Sequence, residues 1–114
     1  MEIRYIYQRE VGLTLKGYQK QYLKGLAHGI APLVIIGQNG CTPTVLKAIH
    51  ASLETHELIK IKFNDFKERI QKKEILSRII AQSSALLVGT VGHTALLFRQ
   101  NSDPEKRKIV IPVR

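Results

Sequence analysis

Four uncharged residues hold the strongest chemical signal in this chain. Gly37-Gln38-Asn39-Gly40 follows the apolar run Leu33-Val34-Ile35-Ile36 and precedes Thr42-Pro43, which reads as an N-cap with proline at the first helical position. A Gly-x-x-Gly between a strand end and a helix start permits positive φ and close backbone approach at its glycines. It also aims the free amides of the helix's first turn at an anion. Gln38 and Asn39 add side-chain donors without charge. The same four residues also suit a plain tight turn. The Gly-Lys-Ser/Thr ending of a Walker loop is missing, which argues against an NTPase.

The second signal is a row of cations. Lys16, Lys20 and Lys24 recur every four residues, and His28 continues the ridge. No acid occurs between Thr14 and Leu53. Like charges four apart repel, and a solvated helix face normally mixes signs, so the row favours phosphate contacts. Lys47 lies one turn into the next helix, Lys60 and Lys62 lie on a strand, and Arg99 ends another. Across 114 residues, 18 Lys+Arg face 9 Asp+Glu, a net charge of +9. Polyanions are the expected partners, nucleic acid first and an anionic membrane surface second. A charge that serves solubility alone is the competing reading.

Catalytic readings are poor. His28, His50, His56 and His93 form no close-spaced zinc pair with a Cys or carboxylate. Cys41 is the single cysteine, so no intramolecular disulfide can form, and a reducing, cytoplasmic setting fits. A cryptic hydrolase lacks its ligand set. The third helix, with Lys67, Glu68, Arg69, Lys72, Lys73 and Glu74, mixes signs like an ordinary solvated face. Aromatics make up 6% without any Trp, and Phe63, Phe66 and Phe98 read as core, which argues against a base-stacking platform. Lysines and backbone amides carry little sequence information, so weak sequence preference is expected. No apolar run approaches the roughly 18 residues a membrane span needs.

The elements that position these residues follow from periodicity. Thr14 is a plausible N-cap for a first helix with Leu15, Tyr18, Tyr22, Leu23 and Leu26 on its apolar side, stopped by Gly29 and Pro32. Leu33 to Ile36 reads as a buried strand. Val45, Leu46, Ile49 and Leu53 face the core from the second helix, and Leu58 to Phe63 alternates as a strand with one wet face. Asp65 with Glu68 reads as a capping box for the third helix, whose stripe is Ile70, Ile75, Leu76, Ile79 and Ile80. Strands Ala85 to Val91 and Thr94 to Arg99 flank the turn Gly92-His93, and Ile109-Val110-Ile111 is a candidate last strand. The order is α-β-α-β-α-β-β, an α/β fold with three helices over a small mixed sheet. Crossover helices between parallel strands belong on one face, which leaves the other face open. Ile3, Tyr5 and Tyr7 alternate within Met1 to Gly12, a strand-like segment that would lie at a sheet edge or stay apart.

These residues resemble the CRM (chloroplast RNA splicing and ribosome maturation) domain family, in particular its single-domain bacterial YhbY group. The likeness rests on Leu23-Lys24-Gly25-Leu26-Ala27-His28, the strand with Gly37 to Gly40, His56-Glu57-Leu58-Ile59-Lys60-Ile61-Lys62, and Val91-Gly92-His93-Thr94 with Leu96-Leu97-Phe98-Arg99. His93 and Phe98 stand where that family often has Lys and Tyr, and Gln38-Asn39 where a basic residue is common. The resemblance covers residues 13–114 and leaves 1–12 as an extension. It implies a four-stranded sheet with three helices, similar to the C-terminal domain of translation initiation factor three. It also implies an RNA-binding module without enzymatic activity, cofactor, metal or small-molecule substrate, whose Gly-x-x-Gly loop contacts RNA. The implied RNA is rRNA of the large-subunit precursor, with ribosomal proteins or other assembly factors as further partners and no membrane. The alternative is a non-enzymatic protein-interaction or structural factor whose charge aids solubility.

Overall fold

The computed structural model describes residues 15–113, so the expectation for Met1 to Gly12 lies outside the described residues. The first helix has Lys16, not Thr14, as its N-cap, with the Lys16 amide donating to Gln19 Oε1 at 2.8 Å. The elements are α1 (Gly17–Ala27), β1 (Val34–Ile36), α2 (Pro43–His56), β2 (Leu58–Phe63), α3 (Arg69–Ser83), β3 (Leu86–Val91) and β4 (Thr94–Phe98), then a 3-10 turn at Pro104–Lys106. The strands form one four-stranded sheet in the order β1-β2-β4-β3. β1 runs parallel to β2 with Val34 opposite Ile61, while β4 is antiparallel to both β2 and β3.

The alternation within β2 divides the core. Ile59, Ile61 and Phe63 pack with Val34, Ile36, Ala95 and Leu97 beneath Ile49 and Leu53 of α2 and Ile75, Leu76 and Ile79 of α3. Both helices that follow same-direction strands therefore share one face. The opposite face was expected to be open, but α1 covers part of it. Leu15, Leu23 and Ala27 bury Leu58, Val88, Leu96 and Phe98. α1 precedes the first strand, so no crossover rule places it, and these apolar side chains do. Its inward ridge is Leu15, Gln19, Leu23 and Ala27, while Tyr22 and Leu26 stay exposed.

Three other local expectations are corrected. Among the described residues β1 is an edge strand that α1 does not reach, and Leu33 and Ile35 are 51% and 53% exposed instead of buried. α3 starts at Arg69 with Glu68 as N-cap, its amide donating to Gln71 Oε1 at 3.3 Å. Asp65 does not cap it, because its amide donates to the Ile36 carbonyl and Phe66 turns the chain at φ 56°. The delayed start leaves Ile70 outside the core, at 73% exposure.

No strand forms at Ile109 to Ile111. Glu57, fully buried, claims that segment. Its carboxylate accepts from the amides of Asn101 (2.6 Å), Lys108 (2.7 Å) and Ile109 (2.9 Å). With those amides engaged, the segment has no ladder to join. Ile111 instead enters the core under α1, and the Pro112 carbonyl accepts from Gln19 Nε2 at 3.1 Å.

Replacing Glu57 with Ala leaves these three amide donors without their acceptor, at a cost on the order of 3 kcal/mol. Urea unfolding of Glu57→Ala should show a lower midpoint. A loss below about 1 kcal/mol would contradict the role given to this carboxylate.

Candidate nucleic-acid interface

The Gly37–Gly40 loop is a closed turn, with the Gly40 amide donating to the Gly37 carbonyl at 3.0 Å. Gly40 lies at φ +67°, and a Cβ there would sit 3.5 Å from the Phe66 ring. Gly37 has no such constraint, with nothing within 4 Å of a built Cβ. The two glycines therefore differ in kind. One lets the backbone turn against Phe66, and the other leaves open space at the surface.

Beside the loop lies a groove of about 490 Å³, bordered by Gly37, Gln38, Asn39, Thr42, Thr44 and Val45. Thr42 caps α2 as expected, its Oγ1 accepting from the Val45 amide at 3.1 Å. The Leu46 amide donates to the Thr42 carbonyl, and Pro43 has no amide hydrogen. Of the first-turn donors, Thr44 N–H is left to an outside acceptor. Lys47 stands two residues on from this groove, exposed on α2.

The cations do not all converge. Lys16, Lys20, Lys24 and His28 are each one residue beyond the buried ridge of α1, so the row flanks the seam between helix and sheet. Lys24, His28 and Lys60 line one groove of about 420 Å³, whose apolar wall includes Ala27, Val91 and Leu96. The Lys24 side chain crosses β3 at Gly89, where a Cβ would come within 2.7 Å of its Cε. Lys62 lies on the same open face, paired with Ile35 on one side and Thr94 on the other. This half of the sheet, which no described helix covers, meets the loop at one end, because β1 leads into the loop and Thr94 follows the β3–β4 turn. Lys16 and Lys20 lie farther up α1, toward its contact with Pro112.

Arg99 is elsewhere. It follows Phe98, which pairs with Leu58 at the opposite end of the sheet. Its guanidinium donates to Glu54 Oε2 (2.9 Å) and the Ser83 carbonyl (2.8 Å), and contacts His50 Nδ1 at 3.0 Å. At 12% side-chain exposure, it fastens α2 to the end of α3. Cys41 is half-buried beside the loop. Burial pushes its thiol up from the ordinary value, and the Arg78 guanidinium offsets part of that shift. Among the described residues, no group of three or more His, Cys, Asp or Glu side chains is placed to hold a metal ion.

Two features escaped the sequence reading. The apolar surface of Leu33, Ile35 and Val91 is exposed next to the lysines. Phe66, assigned to the core, is half-buried and borders the loop. Its position depends on the turn at Phe66 itself, which the residue type does not announce.

A protein-family model described as the CRS1 / YhbY (CRM) domain matches residues 15–99. A Haemophilus influenzae protein named an RNA-binding protein is 42% identical over 99 residues, covering 87% of this chain and 96% of its own length. A Bacillus subtilis protein named a probable RNA-binding protein is 31% identical over 98 residues, covering 86% of this chain and 99% of its own. The solution structure of a Staphylococcus aureus protein, described as a candidate RNA binder, superposes with a TM-score of 0.71 at 30% identity, covering 87% of this chain and 100% of that one.

The two loop glycines make a sharp comparison. Gly40→Ala should destabilise the fold by about 1–2 kcal/mol, the usual penalty of a Cβ in the left-handed region. Gly37→Ala should change stability by less than about 0.5 kcal/mol. Urea unfolding of both variants checks the pair, and equal losses would contradict it.

Proposed function

The chain belongs to the CRS1/YhbY (CRM) domain family, and from that premise we propose that it is a non-enzymatic RNA-binding protein. The relatives named as RNA binders support the class of partner. The observation that carries the reading is a shared face: Lys24, His28 and Lys60 line one groove, and Lys62 lies on the same side of β2, beside the strand β1 that leads into the Gly37–Gly40 loop. A sugar-phosphate segment lies along the loop, where small residues allow close backbone approach. The lysines neutralise the neighbouring phosphates and release their counterions. Lys16, Lys20 and Lys47 extend the basic field and steer approach. Arg99 takes no part, since its donors hold the fold together.

The proposal extends to rRNA of the large-subunit precursor and to a role in that subunit's assembly in the cytoplasm. The ribosome-maturation character of the family supports this extension. The contacts offered are mostly to backbone, so a folded rRNA site supplies most of the discrimination. In gradient sedimentation of cell extract, the protein should travel with immature large subunits. Accumulation only at the top of the gradient would overturn the ribosomal part.

The salt dependence of RNA binding tests the face directly. Changing Lys24, Lys60 and Lys62 together to Gln should lower the slope of log K against log salt by about 2, from roughly 0.7 per phosphate on single strands. Arg99→Gln should lower the urea midpoint and leave that slope unchanged. An unchanged slope in the triple variant would remove the open face from the RNA site.

A further inference from the structure

Next to the loop lies a second recess, of about 300 Å³, between Gly40, Phe66 and α3. We infer that this recess receives one RNA base bearing an exocyclic amino group, with Glu74 as the acceptor for that amino group. The inference rests on the proposed RNA-binding function and adds a specificity-determining position to it.

Glu74 is an odd residue for a phosphate site. A carboxylate beside a phosphate-binding loop repels the ligand and weakens backbone contacts. Glu74 and Arg78 both line the recess, spaced i, i+4 along α3. That spacing ordinarily gives an ion pair. Here neither residue makes an ion pair or a side-chain hydrogen bond among the described residues, and both are exposed. Two unpaired, opposite charges in one recess present an acceptor-only group next to a donor-only group. The Watson–Crick edge of cytosine has the complementary arrangement, an amino donor beside ring-nitrogen and carbonyl acceptors. Uracil has a carbonyl where cytosine has the amino group, so its oxygen would face the carboxylate.

The recess also supplies an aromatic wall and a link to the backbone site. Phe66 is held at φ 56°, a strained conformation for a bulky residue, and its ring packs against Gly40. A base entering beside it gains a stacking contact. Asn39 and Gly40 border both the recess and the outer groove. One nucleotide at the loop can therefore place its phosphate in the groove and its base in the recess. The general expectation of weak sequence preference then holds everywhere except at this one base.

Cytidine and uridine oligomers of equal length separate the amino group from stacking and charge. The full chain should bind oligo(C) about tenfold tighter than oligo(U) by fluorescence anisotropy at one fixed salt concentration, the factor one good base contact supplies. Glu74→Gln, at an exposed position, should bring the two within about threefold, chiefly by tightening oligo(U). Equal binding of both oligomers by the parent chain, or a preference for oligo(C) that survives Glu74→Gln, would overturn the assignment while leaving RNA binding intact. Failure to bind either oligomer or a structured large-subunit rRNA fragment would instead overturn the RNA-binding function, and this assignment with it.

Discussion

The buried carboxylate of Glu57 ties together parts of the chain that share no secondary structure. It sits between α2 and β2 at φ 64°, where the backbone must leave a helix and enter a strand within one residue. Its own amide closes α2 on Leu53, its carbonyl accepts from Arg99, and its carboxylate gathers three amides from the C-terminal segment. A buried carboxylate is costly unless hydrogen-bonded, so the site can exist only with that segment in place. The segment then carries Ile111 into the core under α1 and offers Pro112 to Gln19. The seat of α1, and with it the placement of Lys24 and His28, follows from a residue far from the candidate interface.

The two faces of the sheet are used differently. α2 and α3 close one face completely, whereas α1 covers only β3, β4 and the start of β2 on the other. The corner around β1 that no described helix covers is both apolar and cationic, through Ile35, Leu33, Lys60 and Lys62. Lysine stems cover apolar surface while their ammonium groups stay in water, which lets such a corner remain exposed. The loop adjoins that corner, because β1 leads directly into it.

Charge and role separate within the same residue type. Lys24 and Lys60 border a groove, whereas Lys72 donates to the Gly92 carbonyl at 2.9 Å and braces the β3–β4 turn against α3. Arg99 uses its planar fork to join Glu54, His50 and Ser83, a geometry that lysine could not satisfy. The net charge of +9 is thus a sum over groove-lining, bracing and other surface groups, and it describes the field better than the contacts.

Much of this was legible in the residues themselves. The alternation of Leu58 to Phe63, the Thr42-Pro43 start of α2 and the glycines around Gln38-Asn39 each report a local constraint on backbone or burial, and local constraints survive without a partner. The order of seven elements and the loop's place between strand and helix follow from them. What the residues alone left open depends on contacts distant in sequence. The exposure of Ile35 was decided by where α1 stops, and the loss of a strand at Ile109 by a carboxylate 52 residues earlier. The withdrawal of Arg99 from the basic face required α2 and the end of α3 to meet it. Periodicity determined which side chains share a face, and only tertiary packing decided which faces are covered, because coverage is a property of two elements and never of one.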